Sequence, residues 1–137
     1  MRIFISGKPK GKGRPRFFKG HAVTPKDTRD YEELVAITYK AYRGKYYEDK
    51  AISVLIRAYI YVPKSFEKKK KLEIAKGQLK PTVKPDADNI AKIILDGLNG
   101  VAYKDDKQII KLEVEKIYTF SAEREGVMVE IEEENNE

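Results

Sequence analysis

The chain has 137 residues, of which 41% are hydrophobic and 36% are charged. This length and composition fit one domain with a modest core and a highly charged surface. Cysteine is absent and histidine occurs once, which excludes disulfides and cysteine-bound zinc and disfavours histidine-based metal sites or a Ser-His-Asp triad. The sequence shows neither an apolar run of transmembrane length nor the apolar region of a signal peptide, so we expect a cytoplasmic protein without membrane partners.

The net charge of +6 is unevenly distributed along the chain. Residues 1–20 contain seven Lys or Arg and no acidic residue, whereas residues 123–137 contain seven Glu and one Arg. This asymmetry predicts a polyanionic partner for the body of the protein. A soluble protein that simply carries many lysines would explain the charge equally well.

The first third of the chain predicts a strand, a basic arm and a helix. Weak alternation of apolar residues indicates a strand over residues 2–7. Residues 8–20 contain three Gly and two Pro in a basic run, which predicts a loop or a β-hairpin arm made flexible by its glycines. Helical spacing of apolar residues predicts a helix over residues 27–42, with Asp27 or Thr28 as its N-cap.

The remainder of the chain predicts two more helices and three strands. The helices are identified by an apolar stripe or by lysine-rich sequence with flanking caps, and the strands by β-branched and aromatic residues. The predicted elements are a strand over 51–62, a lysine-rich helix over 65–76 capped by Ser65, a helix over 88–99, and strands over 108–118 and 127–131.

This order of elements predicts a single α+β domain over residues 1–131. The expected architecture is a small mixed β-sheet with helices packed mainly on one face. Residues 132–137 are rich in Glu and are predicted to form a disordered acidic tail.

Aspartates cluster in one short window of the sequence. Five of the eight lie between residues 86 and 106, and no Glu lies among them. After a helix over 88–99, a chain reversal at Asn99-Gly100 is short enough to bring Asp105 or Asp106 back beside Asp86 and Asp88. Carboxylates packed together repel one another unless a cation intervenes, and Mg²⁺ is the usual cation for oxygen ligands. The window therefore predicts a magnesium site within a basic protein.

Simpler explanations exist for each of these residues taken alone. Asp88 fits an N-cap, Lys92 and Asp96 fit a solvated helix face, and Asp105-Asp106 fits a turn before a strand. D-x-D by itself is a weak motif. The full combination, D-x-D-N-x-x-K followed by D-D, is far more specific than its parts.

That combination closely resembles the RusA family of Holliday-junction resolvases. The matching core covers residues 84–109, K-P-D-A-D-N-I-A-K-I-I-L-D-G-L-N-G-V-A-Y-K-D-D-K-Q-I, and the blocks G-R-P-R-F (13–17) and T-P-K-D-T-R-D-Y-E (24–32) extend it. The resemblance implies a metal-dependent endodeoxyribonuclease that resolves four-way DNA junctions by paired symmetric nicks in recombination and repair. It also implies dependence on Mg²⁺, with Mn²⁺ as a possible substitute, a homodimer, and a mixed α/β fold with both active sites on one basic face.

The resemblance also assigns roles to individual residues. Carried over onto this sequence, the family's essential aspartates are Asp86, Asp88 and Asp106, which would also hold the metal. The essential lysine is Lys92. Asp105 stands beside the third aspartate and is a possible metal ligand or a support for one.

Two basic segments are candidates for DNA binding. Their members are Lys12, Arg14 and Arg16 on the arm and Lys68, Lys69, Lys70 and Lys71 on the lysine-rich helix. Phe17 and Phe18 follow the arm, and aromatic side chains can stack on unpaired bases. We expect at least one of these two rings to anchor the arm to the core instead.

Two other functions fit the same residues. The first is a nuclease that cuts flaps or forks. The second is a non-catalytic basic nucleic-acid-binding protein whose carboxylates serve as caps and turns.

Overall fold

Six strands and three helices follow the predicted order, in a computed structural model that describes residues 1–135 apart from the side chain of Arg16. The arm contains a hairpin, which is one of its two predicted forms. The elements are β1 (Arg2–Ser6), β2 (Arg16–Phe18), β3 (His21–Val23), α1 (Lys26–Ala41), β4 (Ile52–Tyr61), α2 (Lys68–Ala75), α3 (Ala87–Leu98), β5 (Ile109–Thr119) and β6 (Gly126–Glu133), with 3-10 turns at Asp106–Gln108 and Ala122–Arg124.

Four of the strands form one mixed sheet in the order β1-β6-β4-β5. β5 runs parallel to β4, whereas β6 pairs antiparallel with both β1 and β4. A parallel pair needs a long crossover connection, and the connection from β4 to β5 carries α2 and α3. The short strands β2 and β3 form a separate two-stranded hairpin.

The core lies between the sheet and two of the helices. Alternate residues of β4 are buried, which places them on one face of the sheet. Helices α1 and α3 cover that face, whereas α2 has no buried residue. The predicted α+β class with a mixed sheet is confirmed. The largest fully buried core side chains include Ile3, Ile5, Ile52, Ile56 and Ile131 of the strands, Val35 and Tyr39 of α1, and Ile90, Ile93, Ile94 and Leu98 of α3.

The C-terminal boundary lies later than the sequence predicts. Strand β6 continues to Glu133, because the antiparallel pairing with β4 extends to the pair Ile52–Glu133. Glu134 then donates its N–H to the carbonyl of Ala51 at 2.8 Å. Glu132 and Glu133, placed by the sequence in a disordered tail, therefore belong to the sheet, and residues 136–137 of that tail lie outside the described residues.

The predicted caps of the first two helices are wrong. Helix α1 has Pro25 at its N-cap, and the hydroxyl of Thr28 instead accepts a hydrogen bond from the N–H of Gly13 at 3.1 Å. Helix α2 has Glu67 at its N-cap. A turn closed by the Phe66 N–H on the Pro63 carbonyl, at 3.1 Å, precedes it and displaces the start of the helix beyond Ser65.

Glycines fix the base of the arm by allowing close packing. A Cβ at Gly11 would lie 3.0 Å from the Cβ of Pro85 and 3.1 Å from that of Asn89, and one at Gly13 would lie 2.6 Å from Thr28 Oγ1. The N–H of Lys12 donates to the carbonyl of Asn89 at 2.9 Å. These two glycines therefore seat the arm against α1 and α3, where the sequence predicts flexibility.

The side chain of Lys12 joins the arm to both helices. Its Nζ lies 2.7 Å from Glu32 Oε2 on α1 and 3.0 Å from Asp96 Oδ2 on α3, and its side chain is 21% exposed. Burial acts to lower the pKa of Lys12, but hydrogen bonds and charge from Glu32 and Asp96 outweigh it and raise the pKa above its ordinary value. Lys12 thus stays charged and holds two carboxylates together.

No helix within residues 1–135 is both long enough and apolar enough to cross a lipid bilayer.

We expect Gly97→Ala to lower the free energy of unfolding by about 1–3 kcal/mol, as overpacking does in well-packed cores. The added Cβ would lie 2.9 Å from Val35 Cβ and 3.0 Å from the Glu32 carbonyl oxygen, so α1 and α3 would have to separate. This effect opposes the helix preference for alanine, about 1 kcal/mol. Urea denaturation followed by circular dichroism measures the change. Equal or greater stability would mean that the two helices can move apart at no cost.

We also expect Lys12→Met to destabilise the protein by about 1–3 kcal/mol, because it leaves two partly buried carboxylates without a cation. Lys10→Met is the matched control on the same arm, since it breaks an exposed pair with Asp27 at 2.9 Å. The control should melt close to the wild-type temperature. Identical melting temperatures for the two variants would contradict an anchoring role for Lys12.

Candidate active site

Helix α3 presents a polar face opposite its apolar stripe. Asp86 occupies the N-cap and makes no side-chain capping hydrogen bond, while Asp88 lies in the first turn. One oxygen of Asp88 accepts the N–H of Asn89 at 3.0 Å. The interpretation of Asp88 as the N-cap is therefore wrong, and both carboxylates lie exposed at the start of the helix.

Lys92 and Asp96 lie further along the same face. The Nζ of Lys92 is 3.1 Å from Asp96 Oδ1, while the other oxygen of Asp96 bonds Lys12. Asp96 is therefore a bridge between two ammonium groups and is only 23% exposed, rather than part of a solvated face. Lys92 remains 57% exposed, so its ammonium group is accessible from solvent.

The chain reverses after α3, at the predicted position. Gly100 has a φ of 79°, a conformation that glycine adopts without strain, and its N–H donates to the Tyr103 carbonyl at 2.8 Å. The buried hydroxyl of Tyr103 donates to the carbonyl of Leu95 at 2.6 Å. This bond ties the returning chain to the second half of α3.

Asp105 and Asp106 follow this reversal but have different surroundings. Asp105 caps the 3-10 turn Asp106–Gln108: its Oδ1 accepts the Lys107 N–H at 2.9 Å, and the Gln108 side chain accepts the Asp105 N–H at 2.9 Å. The bond from Lys107 is the main reason that the pKa of Asp105 lies below its ordinary value. Asp106 is exposed in the first position of that turn.

The hydroxyl of Tyr103 is buried and lies in a negatively charged environment. Burial raises the pKa of the Tyr103 hydroxyl, and the negative charges of Asp106, Asp96 and Asp105 raise it further. The negative charges of aspartates on α3 and on the returning segment therefore both act on this hydroxyl. The returning segment is tied to the second half of α3 through Tyr103, two residues before Asp105.

A metal centre is not already assembled in this arrangement. Within residues 1–135, no three Asp, Glu, His or Cys side chains form a group that could hold a metal ion. Among the described side chains, however, no Lys or Arg lies within 4.0 Å of Asp86, Asp88 or Asp106. Their oxygens are free of competing cations, and carboxylate oxygens are the ligands that Mg²⁺ prefers. The donor chemistry of the three residues fits such an ion.

The arm and α2 present positive charge in different ways. Arg14 is exposed and Arg16 begins strand β2, whereas the ammonium group of Lys12 is already paired with two carboxylates. On α2 all four candidate lysines are exposed. They are Lys68, Lys69, Lys70 and Lys71, and the Nζ of Lys70 lies 4.9 Å from the ring centroid of Phe66.

The expected anchoring of the arm by an aromatic ring is wrong. Phe17 is 81% exposed and Phe18 is 65% exposed. Neighbouring residues of a strand point to opposite faces, so neither face of the hairpin packs on the body at this point. The contacts of Gly11, Lys12 and Gly13 anchor the arm instead. No pattern in the sequence indicates the ion pairs of Lys12, because its partners lie far along the chain.

Comparison with known proteins extends over nearly the whole of this structure. A family model described as Endodeoxyribonuclease RusA matches residues 6–132, which include the arm, α3 and the Asp105-Asp106 turn. The uncharacterized protein YqaN of Bacillus subtilis (strain 168) is 35% identical over 125 residues, covering 87% of this chain and 88% of that protein. The motif on α3, the free carboxylates beside it and this match together place the chain in the RusA endodeoxyribonuclease family.

Proposed function

We propose that this protein is a metal-dependent endonuclease that resolves four-way DNA junctions by paired symmetric nicks. The observation that carries the proposal is the family match over residues 6–132, within which the D-x-D-N-x-x-K motif and the D-D turn are intact. The free carboxylates of α3, in a protein of net charge +6, support a reaction on a polyanion. DNA as substrate is also the basis for proposing a cytoplasmic location.

Three carboxylates are proposed to hold the catalytic metal. Asp86, Asp88 and Asp106 would bind Mg²⁺, with Mn²⁺ as a substitute, and the bound ion would supply activation of water and stabilisation of charge on the phosphodiester. We favour Asp106 over Asp105 as the third residue, because the Asp105 carboxylate already caps the turn. Asp105 would support its neighbour by fixing the backbone of that turn.

Lys92 is proposed to act on the reacting phosphate. Its ammonium group is accessible, and a lysine on a flexible four-carbon stem can exchange an exposed ion pair for a phosphate oxygen. Positive charge there would stabilise the transition state, and the ammonium group could protonate the leaving oxygen. Asp96 would hold the side chain in place before DNA binds.

The proposed DNA surface combines the arm with α2. Arg14 and Arg16 of the arm and the exposed lysines of α2 would bind phosphates, which carry little sequence information. Lys12 contributes to this surface through its position at the base of the arm. The exposed rings of Phe17 and Phe18 offer stacking surfaces beside these charges.

We further propose that the active form is a homodimer. A four-way junction approximates two-fold symmetry, and its resolution requires two cuts. Two identical sites related by one two-fold axis match both requirements.

Asp88→Asn is expected to slow cleavage of a synthetic four-way junction by about a hundredfold or more, because it removes a charged metal ligand. Junction binding without metal should be retained, since a negative charge near DNA has been removed. Cleavage in Mg²⁺ and in Mn²⁺ is measured on gels, with linear duplex, flap and fork as comparison substrates. Asp30→Asn, at an exposed pair with Lys26, is the matched control and should cleave normally.

Three outcomes would contradict this assignment. Normal cleavage by Asp88→Asn would remove that carboxylate from the reaction. Equal cutting of flaps or forks would replace junction resolution with a broader nuclease activity. Binding without cleavage by the wild-type protein in either metal would favour a non-catalytic binding protein.

Replacement of residues 68–71 by alanine is expected to weaken junction binding and to flatten its salt dependence, by about one unit of slope for each phosphate that is no longer neutralised. The matched control replaces Lys26, Lys40, Lys45 and Lys50, which change the net charge equally and lie outside the proposed surface. Fluorescence anisotropy at several salt concentrations measures both slopes. If the two quadruple variants behave alike, net charge rather than α2 governs binding.

A further inference from the structure

The carboxylate of Asp96 bonds two ammonium groups that differ in their freedom to move. Its Oδ1 lies 3.1 Å from Lys92 Nζ, and its Oδ2 lies 3.0 Å from Lys12 Nζ. The Lys12 side chain is 21% exposed, whereas the Lys92 side chain is 57% exposed. Of the two lysines, Lys92 is therefore the one that can leave Asp96 for a ligand that arrives from solvent.

Lys12 is held at both its backbone and its side chain. Its N–H donates to the Asn89 carbonyl of α3 at 2.9 Å, and its ammonium group also lies 2.7 Å from Glu32 Oε2 of α1. These bonds do not involve Lys92. The positive charge of Lys12 therefore stays beside Asp96 when the ammonium group of Lys92 moves away.

The ion pair between Lys92 and Asp96 is weak by its position on the helix. The two residues are four apart on α3, and the lysine is the nearer of the two to the N-terminus. In a helix the opposite order, with the acid first, gives the stronger pair. Water also screens the exposed lysine. A second ammonium group on the same carboxylate weakens the pair further, because the two positive charges repel each other.

We infer that Lys12 is a positioning residue for Lys92: by neutralising Asp96, it keeps the Lys92 ammonium group in place but weakly held. That group can then transfer to a phosphate of bound DNA. Without Lys12, the only cation within 4.0 Å of Asp96 among the described side chains would be Lys92, which Asp96 would hold more tightly. This role rests on the proposed function, in which Lys92 acts on the reacting phosphate, and it is separate from anchoring the arm.

The charges of this cluster support the same role. Lys12 and Lys92 balance Glu32 and Asp96, so the four side chains together have no net charge. After Lys92 moves to a phosphate, the other three carry one negative charge. Without Lys12 they would carry two, and negative charge close to a phosphate opposes its binding. Lys12 therefore makes the transfer of Lys92 electrostatically easier.

A binding experiment without metal tests the transfer apart from cleavage. Binding of a four-way junction is measured in EDTA by fluorescence anisotropy at several salt concentrations. Each phosphate that loses its cation lowers the salt slope by about 0.9 units. Lys92→Met therefore gives the slope that remains when this contact is absent. Lys12→Met should lower the slope by the same amount, because Asp96 then keeps Lys92.

A second substitution on Lys12→Met separates this explanation from direct DNA binding by Lys12. Adding Asp96→Asn removes the carboxylate that holds Lys92, so the salt slope should return to the wild-type value. Adding Asp30→Asn is the matched control, since it removes the same charge at an exposed pair with Lys26. The control should leave the slope low. A lysine that bound DNA directly could not be replaced by either change.

Glu32→Gln separates positioning from anchoring and does not depend on a destabilised variant. It removes the other ion pair of Lys12, whose whole charge then acts on Asp96. The cleavage rate at saturating protein should equal or exceed that of the wild type, whereas Lys12→Met should be slower by about fivefold. Lys12→Arg keeps the positive charge and should cleave at nearly the wild-type rate. Circular dichroism at the assay temperature checks that each variant is folded.

Three results would overturn the inference. A wild-type salt slope in Lys92→Met would mean that Lys92 does not reach a phosphate. A slope that Asp96→Asn fails to restore, or that Asp30→Asn restores equally, would exclude action through Asp96. Slow cleavage by Glu32→Gln, equal to that of Lys12→Met, would leave Lys12 with anchoring alone. If the slopes follow the expected pattern but the wild-type protein cuts nothing, the inference stands and the proposed reaction fails.

Discussion

The ammonium group of Lys12 joins three parts of the molecule that are distant in the sequence. It lies between a carboxylate of α1 and one of α3, while its own backbone bonds the first turn of α3. The pairing fixes the base of the arm, the spacing of the two helices and the orientation of Asp96. Asp96 in turn holds Lys92, so the position of the arm and that of the proposed catalytic lysine are coupled through one shared carboxylate.

The sequence predicts the regular elements because their patterns are local. Alternation of Ile52, Val54 and Ile56 identifies β4, and the apolar stripe of Ile90, Ile93 and Ile94 identifies α3. The predicted N-caps of α1 and α2 are wrong because neighbouring segments intervene. The Thr28 hydroxyl accepts a hydrogen bond from the arm, and a turn precedes α2. Such interactions depend on which segments meet in space, and periodicity contains no information about that.

The candidate site was predictable to a similar extent. Chain length alone allowed a chain reversal after α3, and the structure contains it at Gly100. The roles of the individual aspartates came from resemblance to a family rather than from spacing. The capping role of Asp105 could be predicted from the sequence, because Asp-x-x-Gln is a capping-box pattern and Gln108 completes it. The ion pairs of Lys12 with Glu32 and Asp96 could not be predicted from the sequence, because only the tertiary fold brings these residues together.

Helix α2 buries none of its residues, although it lies within the crossover that the parallel strands require. Its side chains therefore face few packing demands, and substitutions there can alter surface charge while the core stays the same. Stability and the proposed attraction for a polyanion would consequently be carried by different segments of the chain. Relatives with the same core could acquire very different lysine content in this segment, which makes it a natural place for evolution to adjust the strength of DNA binding.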